Sequence, residues 1–156
     1  VPFPTDPADE AAMRRALGLA ERALPTGDVP VGALVLGPDG AVLGEGWNVR
    51  EASGDPTGHA EVVALRAAAA TAGEWRLTGC TLVVTMEPCP MCAGALVLAR
   101  VARVVLGAWD PKLGACGSVW DVPRERRVTH RAEVVGGVLE EECGDLVRRF
   151  FAAHRA

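Results

Sequence analysis

Two short segments carry residues whose types and spacing could do chemistry: His59-Ala60-Glu61 and Pro88-Cys89-Pro90-Met91-Cys92. A separation of three places the Cys89 and Cys92 sulfurs on one side of the first turn of a helix. Unpaired N–H groups and the positive end of the helix dipole favour thiolates there. Pro88 and Pro90 are tolerated because first-turn N–H groups have no intrahelical partner. His59 opens a second helix. If the two helix starts meet, one imidazole and two thiolates can hold one Zn²⁺ and leave the fourth tetrahedral position to water, as catalytic zinc sites do. Zinc with two thiolates and a neutral imidazole has no formal charge, so it polarises water less than a site of three histidines. Glu61, two residues from His59, is placed to accept the proton.

Taken alone, Cys-x-x-Cys reads equally as a structural zinc site or a redox pair, and His-x-Glu as ordinary polar helix residues. Together, each at a helix start, they point to catalytic zinc. The other cysteines and histidines (Cys80, Cys116, Cys143, His130, His154) form no second matched pair that would close a structural site. The spare cysteines read as buried small residues. Five cysteines, an odd number, do not suggest a disulfide framework.

These residues need elements to position them. Helix formers with Met13, Leu17, Ala20 and Leu24 on one stripe predict a helix over 8–24. Residues 31–36 and 41–47 read as an antiparallel hairpin around Pro38-Asp39-Gly40. Residues 50–58 are turn-rich, and an Ala-rich helix runs from His59 to Ala72. The apolar run 82–86 reads as a buried central strand leading into the cysteine motif and a helix to about Leu98 or Ala99. A strand over 103–108, a loop over 109–131, a short strand over 132–135 and a helix over 140–154 complete the chain. Alternation of strand and helix after residue 80 implies parallel crossovers. The expected fold is α/β: three α/β/α layers around a mixed five-stranded sheet, with residues 1–7 as a flexible tail and 8–156 as one domain.

Composition narrows the function classes. The chain has 156 residues, 49% hydrophobic and 23% charged, enough for one domain with its own core. No run approaches the ~20 apolar residues of a membrane span, so no membrane association is expected. The first residues show no signal-peptide pattern, and the expected location is cytoplasmic. Net charge is −4, yet residues 100–131 hold seven basic and three acidic residues. A local basic surface for nucleic acid is compatible with that distribution, as is an ordinary solvated face.

His-Ala-Glu followed by Pro-Cys-x-x-Cys resembles the zinc-dependent cytidine deaminase superfamily. Within it the chain resembles most the bacterial tRNA-specific adenosine deaminases, over nearly its whole length. The residues that carry this likeness run from Asp28-Val29-Pro30-Val31-Gly32-Ala33 through Gly44-Glu45-Gly46-Trp47-Asn48, Asp55-Pro56-Thr57-Gly58-His59-Ala60-Glu61 and Glu87-Pro88-Cys89-Pro90-Met91-Cys92. They continue through Trp109-Asp110-Pro111-Lys112-Leu113-Gly114 and Thr129-His130-Arg131 to Phe150-Phe151. The resemblance implies one zinc per subunit on His59, Cys89 and Cys92, with Glu61 shuttling protons. It implies hydrolytic conversion of the wobble adenosine of tRNA to inosine by a zinc-activated water. Asn48 would bind the flipped-out nucleoside, and Asp110 and Lys112 would line the RNA channel. It also implies the tRNA anticodon loop and a second copy of the chain as partners. Trp109 and Thr129 depart from residues frequent at those places. The alternative is a deaminase of a free base or nucleotide, of guanine or cytosine type, which would share the catalytic core.

Overall fold

The computed structural model describes residues 4–154. Helix α1 (Pro7–Glu21) opens on Asp6, whose carboxylate accepts the Ala8 N–H, with Pro7 in the first turn. The expected helix over 8–24 ends early, at Glu21, because the Pro25 ring would clash with the carbonyl four residues back. A 3₁₀ turn, Leu24–Thr26, takes its place. Strands β1 (Gly32–Leu36) and β2 (Val42–Trp47) form the hairpin. Within the turn-rich stretch lies a helical turn, α2 (Arg50–Ser53). Then follow α3 (Ala60–Ala72), β3 (Thr81–Met86), α4 (Pro90–Leu98), β4 (Arg103–Ala108), β5 (Glu133–Val135) and α5 (Glu140–Ala153). Of the expected tail over 1–7, residues 1–3 lie outside the described residues.

The sheet order is β2-β1-β3-β4-β5. β1 is antiparallel to both β2 and β3, whereas β3, β4 and β5 are parallel. Period-2 alternation sends side chains to two separate cores. Ala33, Val35, Leu82, Val84, Val104 and Leu106 pack with α3 and α4 on one face. Leu34, Val83 and Val105 pack with α1 and α5 on the other. The three layers and five mixed strands are those expected. Phe150 is buried and Phe151 exposed, and all five cysteines are free. Among the described residues no helix is long and apolar enough to cross a membrane.

One close approach sets the height of α3 above the sheet. A Cβ on Gly46 would lie 2.7 Å from the Ala60 carbonyl oxygen, and one on Gly44 would lie 2.4 Å from the Ala68 nitrogen. The helix therefore rests directly on the β2 backbone, with His59 at its end. Gly46→Val should lift the first turn of α3, costing about 1–3 kcal/mol by overpacking, and weaken metal binding at His59. Gly18, in the middle of α1, is the control, because a Cβ there would meet no atom within 4 Å. Gly18→Ala should stabilise by about 0.5–1 kcal/mol. Denaturant titration of both variants, with zinc titration of the first, checks this.

Candidate active site

His59 and Cys89 are the N-cap residues of α3 and α4, each in extended backbone, and neither makes a side-chain cap hydrogen bond. Their side chains turn toward each other instead. His59 Nδ1 lies 3.5 Å from both Cys89 Sγ and Cys92 Sγ, and the three donor atoms fall within 4.8 Å of one another. Tetrahedral zinc with bonds of about 2.0 Å to nitrogen and 2.3 Å to sulfur requires an N···S separation of about 3.5 Å. The donor set therefore fits zinc in both chemistry and spacing. Two helix dipoles add their positive ends at the same point.

Protonation follows from the same crowding. The hydrogen bond from Cys92, and then that from His59, pull the Cys89 thiol down to about 4. Sharing with Cys89 pushes the Cys92 thiol up, and burial adds to it. His59 is raised by its hydrogen bond to Cys89 against the opposing effect of burial. The donors alone thus stabilise a single thiolate; a divalent cation displaces the remaining protons, since ligating thiols are deprotonated. Glu61, in the first turn of α3, is almost wholly buried. Burial raises its carboxyl to about 7, against the pull of its own backbone N–H and of His59. A buried carboxyl that is not a ligand, poised near neutrality beside a metal centre, suits proton transfer.

The pocket over this centre opens at the carboxyl ends of β3 and β4, where α/β sheets place ligands. Asn48, Arg50, His59, Glu61, Cys89, Asp110 and Leu113 are among its lining residues. Asn48 lines it while closing the turn after β2: its amide donates to the Val29 carbonyl at 3.2 Å and its oxygen accepts from the Arg50 N–H at 3.1 Å. Asp110 also lines it, with Oδ1 accepting the N–H groups of Lys112 and Leu113. Lys112 is exposed on that turn and does not line the pocket. The pocket also contains Arg50, Leu113 and Glu87, to which sequence reasoning gave no role. Glu87 carried a signal: a carboxylate directly after the apolar strand Thr81–Met86 has to be buried and partnered.

The basic segment does not act as one surface. Arg100 and Arg103 stand at the amino end of β4, about 20 Å of strand from the pocket. Arg100 donates to the Val97 and Leu98 carbonyls at the end of α4. Arg103 pairs with Asp9 and Glu133, Arg124 with Asp121, and Arg127 with Glu125. Lys112, Arg126 and Arg131 of the segment are exposed and make no ion pair among the described residues.

The fold and site define an α/β protein with a three-donor group suited to zinc and a buried carboxyl in the same pocket. Residues 6–108 match the family model described as "Cytidine and deoxycytidylate deaminase zinc-binding region", and the chain belongs to that family. It is similar to a tRNA-specific adenosine deaminase of Bacillus subtilis, 48% identical over 92% of this chain and 88% of the relative. It is similar in structure to a chain from a study of A-to-I editing by tRNA:A34 deaminases, with TM-score 0.83 and 37% identity over 87% of this chain and 98% of that one. A guanine deaminase of Nitrosomonas europaea is more distant, at TM-score 0.78 and 26% identity over 97% and 87%.

Metal analysis should find one zinc per chain, and His59→Ala should lower zinc affinity at least about tenfold. A second expectation concerns Asp28, which anchors α2. Its carboxylate accepts the Thr26 hydroxyl and the N–H groups of Glu51 and Ala52. Burial opposes ionisation, but these three bonds outweigh it and hold the carboxyl below its ordinary value. The stabilisation it contributes is present above the unfolded pKa of about 4 and is lost as pH falls through the lower folded value. Asp28→Asn should cost about 1–3 kcal/mol at pH 7 and flatten the acid limb of stability against pH.

Proposed function

We propose that the chain hydrolyses the wobble adenosine of tRNA to inosine and ammonia, with zinc held by His59, Cys89 and Cys92. One observation carries the chemistry: a three-ligand metal centre and a buried, non-ligating carboxyl share one pocket. The substrate follows from the B. subtilis relative, whose length and that of this chain are covered almost throughout. The guanine deaminase reading rests on lower likenesses, of 26% identity to the N. europaea enzyme and of 33% at TM-score 0.62 to a guanine deaminase of B. subtilis.

Zinc, when bound, supplies Lewis-acid activation of the attacking water. Glu61 accepts the proton that the water gives up. It delivers that proton to N1 of adenine as oxygen bonds to C6, then carries the proton of the new C6 hydroxyl to the amine as the C6–N bond breaks, C6=O forms and ammonia leaves. Water is consumed and one ammonia is released per inosine. Asn48, at the pocket edge, holds the flipped-out nucleoside, with Asp110 beside it. The Asp110 Oδ1 oxygen is engaged in its own turn, so Oδ2 is the atom available to a ribose hydroxyl. Lys112 stands outside the pocket and serves the phosphates of the anticodon loop.

On this reading residues 8–156 act as one deaminase domain in the cytoplasm, as a homodimer. The second copy is assigned to the apolar groove lined by Leu65, Trp75, Leu77, Ala95 and Leu98, in which Trp75 and Leu98 are exposed.

The decisive assay offers zinc-loaded protein an anticodon stem-loop with adenosine at the wobble position, beside free adenine, guanine, cytosine and cytidine. Inosine should form from the RNA, with ammonia from no free base. Glu61→Gln should retain zinc and lose about 10²–10⁴ in kcat. Ammonia from a free base with untouched RNA would overturn the substrate and leave the metal chemistry standing.

A further inference from the structure

A second buried carboxylate lies in the pocket wall and has no part in the proton transfers described above. Glu87 follows β3 directly and is 3% exposed. Its Oε1 accepts the Asp110 N–H at 2.9 Å, and its Oε2 accepts the N–H groups of Cys116 and Ser118, each at 3.0 Å. The Ser118 hydroxyl donates to Oε1 as well. All four donors belong to one loop, 23 to 31 residues further along the chain. The next residue joins in, since the Pro88 carbonyl accepts the Ala115 N–H at 2.9 Å. The loop also makes room for the carboxylate: a Cβ on Gly114 would overlap Oε1 and the Asp110 carbonyl oxygen.

The consequence is geometric. Glu87 is two residues from Cys89, on the segment that enters the metal-binding turn. The loop it holds carries Asp110 and Leu113, which form one wall of the pocket. We propose that Glu87 is a positioning residue for substrate binding, fixing that wall in register with the metal ligands through its hold on the loop backbone. It does not touch the reacting atoms. Its bonds go mainly to main-chain donors, so its effect reaches substrate through where Asp110 and Leu113 stand. That the substrate is an RNA loop rests on the tRNA reading above; the positioning role itself does not.

The chemistry of the side chain supplies a sharp variant. Glu87→Gln keeps the shape but turns one acceptor oxygen into an NH₂ donor facing an N–H donor, whichever way the amide lies. Steady-state kinetics on the stem-loop, with zinc content measured for every sample, should show KM raised about tenfold or more and kcat within about threefold of wild type. Amide hydrogen exchange should quicken by about tenfold or more at Asp110, Cys116 and Ser118, while β3 and β4 keep their protection. Should Glu87→Gln fail to fold, the loop-side variants Ser118→Ala and Gly114→Ala take its place, with KM rising at least about twofold for the first and more for the second. An unchanged KM overturns the proposal. So does unchanged exchange of the loop, or a fall in kcat or zinc content at constant KM, which would place Glu87 in service of the metal instead. If wild-type protein leaves the stem-loop untouched but releases ammonia from a free base, the tRNA reading fails; the same KM comparison with that base then decides the role of Glu87.

Discussion

One imidazole and two thiols stand within 4.8 Å of one another, and so close a gathering of donors is costly unless the backbone arranges them. Here the backbone does so by ending two loops at one place. α3 and α4 both begin where their strands point, and the residues that cap them are ligands. The height of α3 is set by β2 glycines beneath it, and that of α4 by the short passage from β3 through Glu87 and Pro88. The layer order, the antiparallel hairpin at one edge and the parallel strands at the other all serve this meeting of helix starts. The packed core fixes those starts to within the tolerance that tetrahedral coordination demands.

The electrostatics of the site follow from the same gathering. Cys89 ionises readily because a thiol and an imidazole both donate toward it, whereas Cys92 resists ionisation because it keeps its proton in the hydrogen bond to Cys89, with burial adding to this, and Glu61 because it is buried. The centre therefore favours a cation, while the neighbouring carboxyl is held where it can both take and give a proton.

Much of this was legible in the residues. Strand alternation at 33–35, 82–84 and 104–106 divides the two cores, and the helix starts at His59 and Cys89 stand out by motif. Local conflicts were harder to weigh: the pattern ran through Leu24, but Pro25 ends the helix at Glu21. The charge count over 100–131 was true as a count and misleading as a surface, because β4 carries Arg103 to the far end of the sheet, where Asp9 and Glu133 from other elements pair with it. The partners of Asp28 and Glu87 were out of reach for a different reason. They are mostly backbone N–H groups, which every non-proline residue has, brought in from more than twenty positions away. Only the placement of a carboxylate after an apolar strand hinted that such partners must exist.

Asp28 and Glu87 hold two segments that contribute to the pocket, around Arg50 and around Asp110, and both grip mainly the main chain. Side chains on those segments carry little of the load that keeps them in place. Residues such as Arg50 and Leu113 can then drift in identity while the contour of the opening persists. A pocket framed this way separates the part that must stay constant from the part that can be rewritten. That division gives a lineage a physical route by which one metal centre comes to face purines of different kinds, free or within a polymer, without rebuilding its scaffold.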